Sequence, residues 1–340
     1  MKKHIICFLL ISVLCLSITS CAAESTEQSA EISDSYDLPD DITPYEEENA
    51  LASPYTVAYP ASSVGGVELP ESIPQELLSV LENRLNNASF ACSMYYCDLT
   101  TGFTISYNDT RLFGAASLIK APYLLYIFDM IEKGELSLDD IHTYRKSYHL
   151  FGGTGEVQKM PDGTELTLKE IIEYIVYYSD NTAFKMLYNT SGSSGGVLSL
   201  MDFHYKAYSD YKAPFISGSN TVLNAGGVGR MFCEIYNRSK DSELFTWYVD
   251  LLKDANENVF IKKGLPKDES GESLYVVAHK YGMDIKASND AAIVFYNDRP
   301  YVLIVLTDYL LAGSNASFIA SISSDVFNIH QYICDETRWN

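Results

Sequence analysis

Three short polar motifs, in one order along the chain, restrict its fold and chemistry more than any other feature. Ser117-Leu-Ile-Lys120 comes first, Ser179-Asp180-Asn181 follows, and Lys280-Tyr281-Gly282 comes last. Residues three apart share one face of a helix, so the hydroxyl of Ser117 and the amine of Lys120 lie one turn from each other. The first motif therefore predicts a serine nucleophile with a lysine as its base.

The chain contains a second Ser-x-x-Lys pair, Ser209 and Lys212. The motif alone therefore does not identify a catalytic serine, and the surrounding sequence must be considered. The first pair opens an apolar helical run that reaches Ile131, which places Ser117 at a helix N-terminus, where N–H groups can stabilise an oxyanion. The second pair lies among Tyr, Asp and Pro residues with no apolar periodicity behind it. We therefore assign the chemistry to the first pair.

The pattern of apolar residues predicts the helices and strands that surround these motifs. Strands are predicted at 89–96, 103–107, 273–280, 291–296 and 301–307. Helices are predicted at 74–85, 117–133, 167–178, 181–187, 225–236 and 317–332. Strands near both ends of the chain, with helices between them, indicate one sheet assembled from distant segments and a helical lobe inserted into it.

In this order and spacing, the three motifs resemble those of the serine β-lactamase and penicillin-binding superfamily, in its class A β-lactamase-like branch. The resemblance extends over roughly 260 residues, from about Pro74 to about Asp335. It implies an α/β (α+β) fold of the β-lactamase/transpeptidase type. In that fold an antiparallel sheet is flanked by terminal helices and carries an inserted all-helical lobe, with the active site between the two.

The resemblance implies a role for each residue of the first two motifs. Ser117 would form an acyl-enzyme, Lys120 would take its proton, and Ser179 would relay a proton to the leaving nitrogen. Asn181 would bind the acyl amide of the substrate and help to hold Lys120. Asp180 is expected to be a structural cap at the start of the next helix.

The third motif is expected to bind the substrate. Lys280 would supply positive potential for a carboxylate, and Gly282 would let the strand backbone approach the ligand closely. The N–H groups of Ser117 and Met283 would form the oxyanion hole. Tyr281 departs from the family pattern, which has Thr or Ser at this position, and a Tyr hydroxyl lies too far out to replace theirs. We therefore expect carboxylate recognition to be altered.

A second departure concerns hydrolysis of the acyl-enzyme. The class A family has a Glu after the Ser-Asp-Asn motif that activates the deacylating water, but no Glu occurs here between Tyr174 and Cys233. The acids in that stretch are Asp180, Asp202 and Asp210. Because a general base is worth about 10²–10⁴ in rate, we expect the acyl-enzyme to be hydrolysed slowly.

Three interpretations of the function remain open. The first is a β-lactamase-like serine hydrolase that acts on β-lactam or amide substrates, with poor deacylation. The second is a penicillin-binding-type peptidase that acts on a D-Ala-D-Ala wall peptide or a similar substrate. The third is a lipoprotein that binds the cell wall without catalysis. The joint presence of both serines, both lysines and Asn181 favours an enzyme.

The N-terminal region predicts export and a lipid anchor. Residues 1–20 form a predicted signal peptide, since the apolar run from Ile5 to Leu16 is too short to cross a bilayer of about 30 Å. The segment before Cys21 resembles a bacterial lipobox, which implies lipidation of that cysteine and attachment to the outer face of the cytoplasmic membrane. Residues 21–72 predict a disordered acidic tether, because twelve Asp or Glu and no Lys or Arg lie between Cys21 and Gln75. The catalytic domain is predicted at 73–338.

Composition excludes several other functions. A net charge of −21 argues against binding to nucleic acid. No Cys/His spacing indicates a metal site, so we expect no metal or other cofactor. The cysteines at 92, 97, 233 and 334 are expected to be free thiols, since Cys92 and Cys97 point to opposite faces of one strand. The chain is expected to act as a monomer on a small β-lactam or wall-peptide substrate.

Overall fold

The computed structural model describes residues 55–60, 67–190, 216–217, 220–255, 259–285, 287–308 and 312–339. The strands in these ranges are β1 (Tyr55–Ala58), β2 (Val67–Glu68), β3 (Cys92–Asp98), β4 (Thr104–Tyr107), β5 (Phe113–Gly114), β6 (Ile141–Thr143), β7 (Glu165–Thr167), β8 (Ile216–Ser217), β9 (Asn220–Leu223), β10 (Val276–Met283), β11 (Ala287–Phe295), β12 (Tyr301–Asp308) and β13 (Arg338–Trp339).

The helices in the same ranges are α1 (Gln75–Asn86), α2 (Lys120–Glu132), α3 (Lys146–His149), α4 (Leu168–Tyr177), α5 (Asn181–Thr190), α6 (Ala225–Arg238), α7 (Glu243–Asp254), α8 (Phe260–Lys263) and α9 (Ala312–Glu336). Short 3₁₀ turns occur at Ala116–Ile119 and Val157–Lys159. Within the described residues, no helix combines the length and the apolar character that a membrane span requires.

The centre of the fold is a six-stranded antiparallel sheet with the order β1-β4-β3-β12-β11-β10. Successive residues of a strand point to opposite faces, and β12 shows how the two faces are used. Leu303 packs into a core with α1 and α9, whereas Ile304 packs into a core with α2, α4, α6 and α7. The sheet is therefore covered by terminal helices on one face and by the helical lobe on the other, which confirms the predicted fold class.

Helix α4 shows how the local sequence builds the lobe. Thr167 accepts a hydrogen bond from the backbone N–H of Glu170, and the Glu170 carboxylate accepts one from the Thr167 N–H, which together form a capping box. Ile171, Ile172 and Ile175 are buried at helical spacing. This helix ends directly before the Ser-Asp-Asn motif and so sets the position of Ser179.

The N-terminal boundary differs from the prediction. The sequence predicts a tether over 21–72, but Tyr55–Ala58 forms β1 and pairs with β4 at the edge of the main sheet. Val67–Glu68 forms a second pair with β13. Most acidic residues of the predicted tether lie before residue 49. The average composition of the whole segment therefore indicated disorder, although its C-terminal part includes a short strand. Residues 21–54 lie outside the described residues.

Other elements also differ from the prediction, as α7 and β11 illustrate. Helix α7 was not predicted, although Ser242 caps it and Phe245, Tyr248 and Leu252 are buried at helical spacing. Strand β11 begins at Ala287 rather than at residue 291, because the polar residues before Ala291 are buried there. Their polar side chains make the strand unrecognisable from hydrophobicity alone.

The four cysteines within the described residues are free thiols, as predicted. Cys92 and Cys97 are buried on opposite faces of the sheet, one in each hydrophobic core.

Candidate active site

The segment that carries Ser117 is held against the sheet. Asn289 of β11 donates through Nδ2 to the backbone oxygens of Gly114 (2.7 Å) and Ala115 (3.3 Å). Ala116 has a φ of 45°, in the left-handed region that residues other than glycine rarely adopt. The chain turns sharply here, so Ser117 lies in the 3₁₀ turn that leads into α2. Sequence reasoning did not identify Asn289.

Lys120 is the centre of the site and is only 2 % exposed. Its Nζ lies within hydrogen-bonding distance of Ser117 Oγ (3.1 Å), Ser179 Oγ (3.2 Å) and the Ser179 carbonyl oxygen (2.6 Å). A fourth contact joins Nζ to Asn181 Oδ1 (2.6 Å). The amine of Lys120 thus connects the first motif to the Ser-Asp-Asn motif. The sequence predicts that these two motifs belong to one site.

The pKa of Lys120 lies well below its ordinary value. Burial is the main cause, because it disfavours the charged amine, and the positive charge of Lys280 acts in the same direction. The negative charge of Asp180 opposes both effects but is the smallest of the three. The environment therefore favours the neutral amine, which is the form that can accept a proton.

The turn at Ser179 is shaped by Asp180, which is completely buried. One carboxylate oxygen accepts from the N–H groups of Glu156 (2.6 Å) and Val157 (2.8 Å), and the other accepts from Ala183 N (2.9 Å). Ser179 itself has a φ of 48°. Asp180 is thus a structural cap, as the sequence predicts, and it joins α5 to the segment that ends in the second 3₁₀ turn.

Asn181 holds Lys120, as predicted. Its Nδ2 donates to the backbone oxygen of Gly152 (3.0 Å), and this bond turns Oδ1 towards the amine. The predicted contact with the acyl amide of a substrate stays a prediction.

Lys280 of β10 joins the third motif to the second. Its Nζ donates to Ser179 Oγ (3.1 Å) and to the Tyr281 carbonyl oxygen (2.8 Å). Gly282 lies against the nucleophile segment so closely that a Cβ there would be 2.4 Å from Leu118 N and 2.9 Å from Ser117 N. A glycine at this position lets the strand approach the Ser117 segment. Its predicted close approach to a ligand stays a prediction.

The backbone of Met283 has the orientation expected of an oxyanion donor. Asp284 N donates to Ala287 O of the neighbouring strand (2.9 Å), and successive N–H groups of a strand point to opposite sides. The N–H of Met283 therefore points away from β11, to the edge of the sheet that faces the Ser117 turn.

Tyr281 packs within the domain. Its ring centre lies 5.6 Å from that of Phe260 and 6.2 Å from that of His279, and Lys280 Nζ lies 4.9 Å from it. Its assignment as a substrate-binding residue stays a prediction, and its contacts indicate a part in shaping β10.

Sequence reasoning missed a buried pair beside Lys280. His279 and Asp290 are 1 % and 0 % exposed, and His279 Nδ1 lies 3.1 Å from Asp290 Oδ1. His279 Nε2 faces the backbone oxygen of Ala255 (3.1 Å), while Asp290 Oδ2 accepts from Ile261 N (3.1 Å). Both ring nitrogens face oxygen acceptors, so both bonds form only when the ring carries two protons or the carboxyl carries one. The sequence offered one signal for this pair, namely that His279 and Asp290 are polar residues at strand positions where apolar residues would be expected.

Several predicted residues cannot be placed. The second Ser-x-x-Lys pair at Ser209 and Lys212, the acids Asp202 and Asp210, and the lipidation candidate Cys21 all lie outside the described residues.

Comparison with known proteins gives a consistent result. The family model described as the β-lactamase enzyme family matches residues 76–332. A β-lactamase of Bacteroides uniformis is 27 % identical over 284 residues, which cover 74 % of this chain and 91 % of that protein.

Solved structures are similar at lower identity. PBP-A superposes with a TM-score of 0.67 at 19 % identity, covering 78 % of this chain and all (100 %) of PBP-A. A variant of PBP-A, solved as an acyl-enzyme complex with penicillin G, gives a TM-score of 0.66 at 19 % identity, with 77 % and 99 % covered. At this level of identity the structures establish the shared fold.

Proposed function

The chain belongs to the β-lactamase enzyme family and is a serine hydrolase, and we propose that it forms an acyl-enzyme on Ser117 with a β-lactam or a related amide. A single observation carries the proposal. Hydrogen bonds connect Ser117, Lys120, Ser179 and Lys280 in series, with 3.1, 3.2 and 3.1 Å between successive side-chain atoms. Such a series can move a proton from the nucleophile to a leaving group.

The contacts of Lys120 match those of a neutral amine. A neutral amine has two N–H groups and one lone pair, and the two short contacts go to oxygens that can only accept, the Ser179 carbonyl and Asn181 Oδ1. The single lone pair then remains to accept the proton of the Ser117 hydroxyl, 3.1 Å away. The lowered pKa of Lys120 supports the same protonation state. Lys120 is thus the proposed general base for acylation.

Acylation is proposed to proceed as follows. Ser117 Oγ attacks the carbonyl carbon and gives its proton to Lys120, while the N–H groups of Ser117 and Met283 stabilise the oxyanion. Lys120 returns a proton through Ser179 to the nitrogen as the C–N bond breaks. The positive charge of Lys280 favours a substrate that carries a carboxylate near that nitrogen.

Deacylation is proposed to be slow. The stretch from Tyr174 to Cys233 contains no Glu, and a missing general base lowers a rate by about 10²–10⁴. The structure of the PBP-A variant with penicillin G supports acylation on this fold, since that protein was captured as an acyl-enzyme complex.

The second candidate is a penicillin-binding-type peptidase that acts on a D-Ala-D-Ala peptide. Tyr281 favours it, because the Thr or Ser hydroxyl expected at this position for the β-lactam carboxylate is replaced by a ring that packs on Phe260. We further propose that the protein is exported, anchored through a lipid on Cys21 to the outer face of the cytoplasmic membrane, and monomeric. The predicted signal peptide and lipobox support the anchor.

Mass spectrometry of the intact protein tests the proposal. The purified full-length protein is mixed with penicillin G and followed over time, beside Ser117→Ala and, as a matched control, Ser209→Ala from the second Ser-x-x-Lys pair. We expect an adduct of the mass of penicillin that persists for minutes in the native protein and in Ser209→Ala, and none in Ser117→Ala. An adduct that survives Ser117→Ala would disprove the assignment of the nucleophile, and rapid loss of the adduct would disprove slow deacylation.

A further inference from the structure

A pocket of about 370 Å³ lies beside Ser179, in the size range of about 300–1,000 Å³ that small-molecule sites occupy. We propose that it binds the departing C-terminal residue of a linear amide substrate, and that this residue carries an aromatic or another bulky apolar side chain. The inference rests on the proposed function, since it concerns the leaving group of the same acylation step.

The position of the pocket assigns it to the leaving group. It is lined by Ser179 and Lys280, the end of the hydrogen-bonded series remote from Ser117. In the proposed acylation the C–N bond breaks with transfer of a proton from Ser179 to the nitrogen, so the amine departs on this side of the serine. The new C–O bond to Ser117 Oγ keeps the acyl part on the other side.

A β-lactam and a linear amide would use such a pocket differently. When its ring amide opens, the nitrogen stays attached to the acyl group through the rest of the molecule, so no separate product leaves. A linear amide releases a free amine, which must be held during bond breaking and then diffuse away. A cavity of about 370 Å³ on the amine side is large enough to hold such a departing residue.

One wall of the pocket is preformed by the segment 153–159. Gln158 Nε2 donates to the backbone oxygens of Gly153 (2.8 Å) and Gly155 (3.1 Å), which closes the segment on itself. Gly155 packs so tightly on Asp180 that a Cβ would lie 2.3 Å from its carboxyl carbon. Glu156 pairs with Lys159 (2.7 Å), so the charges on this wall offset each other.

Two aromatic side chains supply apolar surface to the pocket. Tyr177 and Tyr178, at the end of α4, line it and are 38 % and 51 % exposed, so part of each ring is accessible to a ligand. Ala255 also lines the pocket, and its carbonyl oxygen lies 3.1 Å from His279 Nε2 of β10. Tyrosine rings beside the positive charge of Lys280 match an amino acid that has both a carboxylate and a bulky apolar side chain.

Two linear substrates with the same acyl group test the inference, one ending in phenylalanine and the other in alanine, each prepared in the D and L forms. The rate of amine release by the full-length protein gives kcat and KM for each. We expect the phenylalanine substrate to have the higher kcat/KM, and we expect Tyr178→Ala to raise its KM by about tenfold, the value of one buried aromatic contact. The alanine substrate should change by less than about twofold, because its side chain does not reach the ring.

Tyr148→Ala is the matched control, because Tyr148 is also an exposed tyrosine but does not line the pocket. It should leave the preference for phenylalanine unchanged. If the acyl-enzyme forms but alanine and phenylalanine leave equally well, or if Tyr178→Ala weakens both substrates alike, the inference fails and the proposed function stands. If no adduct forms on Ser117 with either substrate or with penicillin, both fail.

Discussion

The amide oxygen of Asn181 lies 2.6 Å from Lys120 Nζ, while its amide nitrogen donates to Gly152 O. This amide is fixed at both ends, so it presents a neutral acceptor to a buried amine. A neutral acceptor holds the lysine in place but raises its pKa less than a carboxylate at the same distance would.

Asn181→Asp should therefore weaken the base. A carboxylate next to an amine raises the amine pKa by about 1–3 units, so acylation at pH 7 should fall, by up to about 1,000-fold, and recover as the pH rises. Stopped-flow measurement of acylation by a penicillin between pH 6 and pH 10 gives the profile. Asn181→Ala is the control, since it removes the acceptor without adding charge and should lower the rate without moving the profile to higher pH. If Asn181→Asp lowered the acylation rate by the same factor at every pH, the protonation state of Lys120 would not control acylation.

Gly282→Ala should lower the acylation rate about 100-fold while the fold persists. The added Cβ would lie 2.4 Å from Leu118 N, and the backbone of β10 would have to move away from the Ser117 turn. A displacement of about 1 Å costs about 10² in rate when it affects reacting groups. Gly114→Ala is the comparison, because its Cβ would meet only Ala287 Cβ at 4.0 Å. Acylation rates and thermal unfolding temperatures are measured for both variants. Normal acylation by Gly282→Ala would contradict the close approach of β10 to the Ser117 turn.

His330 should make stability depend on pH below neutrality. Burial lowers its pKa to about 4, and its Nδ1 and Nε2 bond to Tyr96 Oη (2.7 Å) and Arg299 O (2.8 Å). Below about pH 6.5 the unfolded chain binds a proton that the folded protein takes up only near pH 4, so stability is lost as pH falls through this window. From pH 7 to pH 5 the loss should be about 2 kcal/mol.

Urea unfolding of the native protein and of His330→Gln at both pH values measures this contribution. Other groups also titrate in this range, so the informative quantity is the difference between the two proteins. The variant should be less stable at pH 7 but should lose about 2 kcal/mol less on acidification. Parallel losses in the two proteins would rule out His330 as the source.

The pair of His279 and Asp290 should be strongly coupled. Removal of one partner leaves the other buried without it, at a cost of about 3–5 kcal/mol. The double variant His279→Ala with Asp290→Ala should lose at least about 1 kcal/mol less than the sum of the single variants. Urea unfolding of the three variants gives the coupling.

The partly exposed ion pair of Arg84 and Asp325 is the matched control, and its coupling should stay below about 1 kcal/mol. Additive losses at His279 and Asp290 would mean that the two residues stabilise the fold independently.

Local geometry explains which residues could be identified from the sequence. Ser117 and Lys120 are one turn apart, and the capping box at Thr167 needs only four consecutive residues, so each could be recognised within a short segment. Asn289 and Asp290 could not, because polar residues in a strand carry no sign of their partners. Their partners lie at Gly114, Ala115, His279 and Ile261, and only the strand register brings them together.

The sequence by itself determined the fold family, most of the longer helices and strands, and the identity of the motif residues, because these depend on local periodicity and on motif spacing. Tertiary structure alone decided how the motifs meet. Ser179 Oγ and Lys280 Nζ are 3.1 Å apart although 101 residues separate them along the chain. The lowered pKa of Lys120 likewise depends on burial and on the charge of Lys280, both of which arise only when the helical lobe closes on the sheet.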